Sequence, residues 1–265
     1  MDYSGFEDLV VDVSDGVARW RINRPEKLNA MRTPTFNEIM ELGRMLQADD
    51  DVRAVVATGT GRAFSSGADL SPGADGETPA APTRAERTDA VGRSGIAFAM
   101  PDLDKPAIAA VDGVAAGAGM ALACSFDLRI LGQGVRFITV FVRRALAPDC
   151  GLSWFLPRLV GPAVATDLLF TSREVGAEEA VRIGLGTELA DDAEGRAMEL
   201  ARELAQAPPL SLLYAKREIR RSSGLSLREA VETEWAAQSQ AKASSDVREG
   251  MLAFAEKRAA RFTGQ

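Results

Sequence analysis

The chain has 265 residues, 46% of them apolar and 26% charged, with a formal net charge of −7. That suits one large domain with a substantial core, and it argues against a surface built to neutralise a nucleic-acid backbone. Histidine is absent and cysteine occurs twice, at Cys124 and Cys150. His–Cys zinc sites, Ser-His-Asp triads and a disulfide framework are thereby excluded, no metal site is expected, and both cysteines read as small buried residues.

The opening "MDYSGFEDLVVDVS" is acidic and lacks a basic segment followed by an apolar one, so no signal peptide is expected and a cytoplasmic setting follows. "LVVDVSDGVARWRIN" reads as a β-hairpin turning at Asp15-Gly16. A helix then follows "RPEKLNAM", with Thr33 as N-cap, Pro34 at the first helical position, and Phe36, Ile39, Met40 and Leu42 to Leu46 on its apolar side. "VRAVVATG" is a buried strand, and "GRAFSSGADL" is a loop leading to another helix.

Residues 71–84, rich in Pro, Gly and Ala, read as a mobile insertion. A helix at about 85–100, a strand at 106–111, a Gly/Ala loop with its helix, and a strand at 127–131 come next. The stretch 106–126 is largely apolar, but Asp112 interrupts it and Ala and Gly dominate it, which argues against a membrane span. From about 193 the pattern is helical, so the expectation is an α/β core over 1–192 followed by a helical region over 193–265.

Two strand–loop–helix junctions share a composition, "FSSGADL" and "VAAGAGMAL". Each presents backbone N–H groups at a helix start, where the first donors lack partners inside the helix. Two such donors aimed at one point form an oxyanion hole that needs no reactive side chain. A packing contact between helix and sheet is the alternative for either loop alone. "GAGMAL" lacks the third glycine of the dinucleotide fingerprint, and no phosphate-loop motif occurs.

The segments "RPEKLNAM", "GRAFSSGADL", "VDGVAAGAGMALACSFDLRI", "APDCGLSWFLPRLVG" and "REGMLAFAEKRAARFTG" resemble, in order and spacing, the signatures of the enoyl-CoA hydratase/isomerase (crotonase) family. The resemblance implies an α/β fold, a spiral of ββα units with a C-terminal helical region used for trimerisation. It also implies an acyl-CoA thioester as substrate, with coenzyme A arriving as part of it and no separate cofactor. Carried over, the oxyanion donors fall on the amides of Ala68 and Ala118. CoA and substrate contacts fall on Lys27, Asn29, Ala30, Ala68, Asp69, Leu70, Ser71 and Gly117. Phe254 and Lys257 match positions that meet the CoA nucleotide, often across a subunit boundary, so a homotrimer or a dimer of trimers is the implied assembly.

Hydratases of the family use two glutamates, and the matching positions here are Ala121 and Phe141. Neither accepts a proton. Asp149 stands where isomerases and dehalogenases of the family carry an aspartate, as acid/base in the first and nucleophile in the second. The dehalogenase route also relies on a histidine, which this chain lacks. Asp149 also reads as a cap for a helix beginning near Gly151. Beside Phe141 and Trp154 its carboxyl is expected to lose water and gain basicity. The reading is an isomerase that shifts a double bond; a hydratase, a hydrolase or dehalogenase, and a non-catalytic acyl-CoA binder are the alternatives.

Overall fold

The computed structural model describes residues 1–71 and 92–265. The chain opens on β1 (Leu9–Ser14) and β2 (Val17–Ile22), paired antiparallel across Asp15-Gly16. Both turn residues hold positive φ, 53° and 76°, as the two-residue hairpin turn favoured by Asp-Gly requires. Helix α1 spans Thr33–Ala48, and Arg32 rather than Thr33 occupies its cap position. The reason is local: the Thr35 hydroxyl accepts the Arg32 N–H at 3.1 Å, so Thr33 is already helical.

Next come β3 (Ala54–Gly59), β4 (Ala63–Ser65), a short α2 (Ile96–Ala99), β5 (Ala107–Val111), β6 (Val114–Ala116) and α3 (Ala118–Ser125). They are followed by β7 (Leu128–Leu131), β8 (Arg136–Ile138), α4 (Leu152–Val160), α5 (Pro162–Thr171), β9 (Val175–Gly176), α6 (Ala177–Arg182) and β10 (Glu188–Leu189). The chain ends on α7 (Ala193–Ala205), α8 (Pro209–Ser222), α9 (Leu227–Ala243) and α10 (Ser245–Glu256). The insertion expected at 71–84 and the first part of the helix expected at 85–100 lie outside the described residues.

Two sheets result. The six-stranded one has the order β1-β2-β3-β5-β7-β10 and is parallel from β2 onward; the four-stranded one has the order β4-β6-β8-β9. Each pair β3/β4, β5/β6 and β7/β8 gives one strand to each sheet, so the chain spirals between the sheets and advances one strand per turn. This is the expected ββα spiral.

Alternation along β3 divides the core. Val55 and Ala57 face the cluster that holds Trp20, Phe36, Ile39 and Met120, while Ala54 and Val56 face Ala193, Ala197, Met198 and Ala201. Helix α7 therefore covers the second face of the large sheet. The core does not stop at residue 192, because the small residues of α7 let it lie flat on the strands; the turn to a helical appendage falls after Ala205. Beyond it, α8 has no wholly buried residue, although its Lys216 side chain reaches in to Asp127 at 2.8 Å, and α9 buries only Ala237. Among the described residues no helix is long and apolar enough to cross a membrane, and no group of acidic and cysteine side chains is placed to hold a metal.

Candidate active site

The two Gly/Ala junctions meet. Gly67 holds φ +95°, and a Cβ there would lie 2.6 Å from the Ala116 carbonyl oxygen and 3.5 Å from the Ala118 nitrogen. Gly119 stands against Ser65: a Cβ would lie 2.4 Å from its carbonyl oxygen. Only glycine permits this approach of backbone to backbone. The small residues of 111–127 thus serve to bring one loop onto the other.

The direction of the donors follows from strand geometry. Met31 and Ala68 form a parallel bridge, in which the Met31 N–H donates to Gly67 O at 2.7 Å and the Asp69 N–H donates to Met31 O at 2.8 Å. The flanking residues make those bonds, so the N–H of Ala68 itself points the other way, to the side where Gly67 meets Ala116 and Ala118. Ala118 is the first residue of α3, where helical N–H groups lack partners. Among the described residues neither amide has an acceptor, and Ala118 is 3% exposed. Two donors held this way can stabilise a developing oxyanion.

Lys27, Asn29 and Ala30 form the facing edge, sewn to the loop by Ser66 N–H to Leu28 O at 2.9 Å and by the Ser65 hydroxyl to Asn29 O at 2.7 Å. Lys27 is exposed, at the end of a 3-10 turn over Pro25–Lys27. Asn29 differs from its expected role, because its side chain is fully buried and spent on the fold. Its amide donates to Thr60 O and Ala63 O at 3.0 and 2.6 Å, and its oxygen accepts the Arg24 N–H. Its φ of 55° suits asparagine. Asn29→Ala is expected to lower the unfolding free energy by about 1–3 kcal/mol, read by chemical denaturation, since it orphans buried backbone groups.

Asp69 is likewise committed internally. Its carboxylate accepts from Ser71 N–H and hydroxyl and from Arg24 at 3.0 Å, and these partners hold it below the usual carboxylate range. Leu70 is exposed and Ser71 is engaged with Asp69. Gly117 accepts the Ala121 N–H and lies against Val140.

Asp149 precedes α4, which packs on α3. The helix cap is Gly151, with no side-chain cap bond, and the helix start takes only the backbone oxygen of Asp149, through Leu152 N–H at 3.0 Å. The carboxyl is therefore not consumed as a cap. Asp149 itself is exposed to solvent, against the expectation of a carboxyl stripped of water. Partial loss of water still pushes the carboxyl above the ordinary carboxylate range, with the Cys150 thiol and the Arg93 charge pulling back. Phe141 is buried in the same core cluster as Ala121 and Cys150. Burial raises both thiols, Cys124 to about 12, so neither is poised as a nucleophile.

Trp154 does not join this group. It shares a helix face with Arg158, whose guanidinium lies 4.0 Å over its ring, and both line a cleft of roughly 520 Å³ with Phe126, Leu212 and Ile219. Neither Ala68, Ala118 nor Asp149 lines that cleft. Phe254 and Lys257 lie apart from the loops as well. Phe254 is 87% exposed and Lys257 ends α10 at φ 54°, because α10 is tied by Asp246 and Glu249 to residues 258–264 of the tail. Arg24, Ser65 and Gly67 are site-forming residues that the sequence reading did not single out. Their signal lay in the quoted motifs, one to three positions before the residues chosen.

Interlocked amide-bearing loops on a ββα spiral make a site that can hold an oxyanion. Residues 12–265 match the enoyl-CoA hydratase/isomerase family, and the chain belongs to that family. It is 34% identical to the 1,2-epoxyphenylacetyl-CoA isomerase of Escherichia coli K12, covering 98% of this chain and 99% of that protein. It is 32% identical to the short-chain-enoyl-CoA hydratase of Clostridium acetobutylicum, over 95% of each. The crystal structure of an enoyl-CoA hydratase from Mycobacterium tuberculosis H37Rv superposes with a TM-score of 0.87 at 30% identity, covering 97% of this chain and 99% of that one.

Proposed function

We propose that the protein is an enoyl-CoA isomerase, in which Ala68 and Ala118 stabilise the thioester enolate and Asp149 moves the proton. The observation that carries this reading is the combination at three positions. Ala121 and Phe141 are buried and apolar where water-adding relatives need carboxylates, while Asp149 keeps its carboxyl free of the helix cap. A single base suffices for isomerisation. It takes a proton from C2 of a 3-enoyl thioester, the electrons pass to the thioester oxygen between the two N–H groups, and the proton returns at C4. No atom is gained or lost, and no cofactor beyond the CoA of the substrate takes part.

The apolar side chains that α9 and α10 expose, Leu227, Trp235, Met251 and Phe254, support a trimer in which Phe254 and Lys257 would meet the CoA of a neighbouring subunit; the setting proposed is the cytoplasm. The likeness to the E. coli isomerase, together with "VAAGAG", "PDCG" and the tail motif, favours a phenylacetate-derived acyl group.

The test is a panel of 3-enoyl-, 2-enoyl- and epoxyphenylacetyl-CoA followed by absorbance and mass. Isomerisation without mass change is expected, with crotonyl-CoA hydration far below the ~10³ s⁻¹ upper end of common turnover numbers. Addition of water at that upper rate would assign the protein to the hydratases, and no change in any substrate would leave it a binder.

A further inference from the structure

We propose that Arg24 and Asp69 are positioning residues, an ion pair that aims the Ala68 N–H at the thioester oxygen; this rests on the oxyanion reading of Ala68 and Ala118. The pair is inside the protein, with the side chains 13% and 5% exposed and 3.0 Å apart. Its placement is specific. Arg24 Nη1 donates both to the Asp69 carboxylate and, at 2.5 Å, to the carbonyl of Ala30. Ala30 precedes Met31 and Asp69 follows Ala68, so the guanidinium grips one neighbour of each residue in the Met31–Ala68 bridge. That bridge sets which way the Ala68 N–H points.

The rest of the surroundings makes the clamp stiff. The Arg24 Nε approaches Asp8 at 3.7 Å, and Asp8 is held by Arg32 and Thr35. On the other side of the bridge Ser65 accepts the Gly67 N–H at 3.2 Å while donating to Asn29 O. From the side of residue 69 the 68–69 peptide is held by its own N–H bond to Met31 O, and the Asp69 carboxylate, gripped by Arg24 and Ser71, keeps that bond in register. A planar guanidinium holds two acceptors in fixed relative positions, and lysine cannot reproduce that fork. Because misplacement by about 1 Å can cost about 10²-fold in rate, the pair matters to turnover though it need not touch the substrate.

The experiment reads the donor directly. Butyryl-CoA labelled with ¹³C at the thioester carbonyl is saturated and does not isomerise, and its infrared carbonyl band falls in frequency when hydrogen-bond donors grip the oxygen. Wild-type enzyme, Asp69→Asn and Arg24→Lys are compared for this band and for kcat and KM. The expected result is a downshifted band in wild type, a partial loss of that shift in both variants, and kcat lower by about 10- to 100-fold with KM nearly unchanged. Arg24→Lys keeps the charge and carries the test if Asp69→Asn does not fold. Variants that keep the wild-type band and kcat overturn the positioning role. A wild-type band at the solution frequency overturns the oxyanion reading and this proposal together. A fall in stability with an unmoved band would mark the pair as structural alone.

Discussion

Asp149→Asn is expected to bind acyl-CoA with nearly wild-type affinity and to turn it over about 10²–10⁴-fold more slowly, the range of a positioned acid/base. The amide keeps the shape and the polarity of the side chain but can neither take nor return a proton. The pH profile gives a second check. Loss of water raises the Asp149 pKa, and the anion is the working form. Activity in the wild type should therefore fall on the acid side at a pH above the usual carboxylate range.

The same shift fixes a sign for stability. A carboxyl whose folded pKa is raised contributes stability that is fully present below its unfolded pKa and is lost as pH rises through the folded value. Asp149 is exposed, so solvent screens its charge and the net cost of the anion to the fold at neutral pH is small. Asp149→Asn should melt at or above the wild-type temperature at pH 7 while losing activity. Near-wild-type turnover by the folded variant would remove Asp149 from the mechanism. A large drop in Tm would instead make the carboxylate a structural group.

What the sequence made legible was whatever has a long period or a distinctive turn. The Asp15-Gly16 hairpin, the α1 stripe and the apolar runs of β3 and β5 are of that kind. The second sheet was not legible, because β4, β6 and β8 are three residues each, too short for alternation to register. Its strands hide inside "AFS" and "VAA", which read as loop. The packing of α7 on the sheet was missed for another reason. A helix with alanine at 193, 197, 201 and 205 shows an apolar face, but that face does not say which surface it covers.

Within the site, backbone positions were more legible than side chains. Family spacing pointed to Ala68 and Ala118 by their amides, and the structure brings the two loops into contact. Spacing says nothing about where a polar side chain turns. Asn29 and Asp69 lie in the right loops, yet their polar atoms are spent on Thr60, Ala63, Arg24 and Ser71. Trp154 follows Asp149 by a little over one helical turn and faces Arg158 instead, since residues four apart share a helix face.

Ala118→Pro isolates the contribution of a single backbone donor, because of where Ala118 stands. As the first residue of α3 it spends its N–H on no helical bond, and the first helical position is where proline is tolerated. The preceding residue is Gly117, at φ 50° and ψ −119°. It lacks the Cβ whose clash with a proline ring restricts other residues. The substitution therefore deletes one oxyanion donor and leaves the helix in place, so kcat should fall by about 10²–10³-fold, or ~2.7–4 kcal/mol. Ala118→Gly keeps the N–H and should stay within a few-fold of wild type, which separates loss of the donor from loss of the methyl group. Circular dichroism and Tm establish that each variant is folded. If folded Ala118→Pro retains a wild-type rate, the enolate oxygen is not held at this loop. The close approach of Gly67 to Ala116 and of Gly119 to Ser65 would then be packing alone.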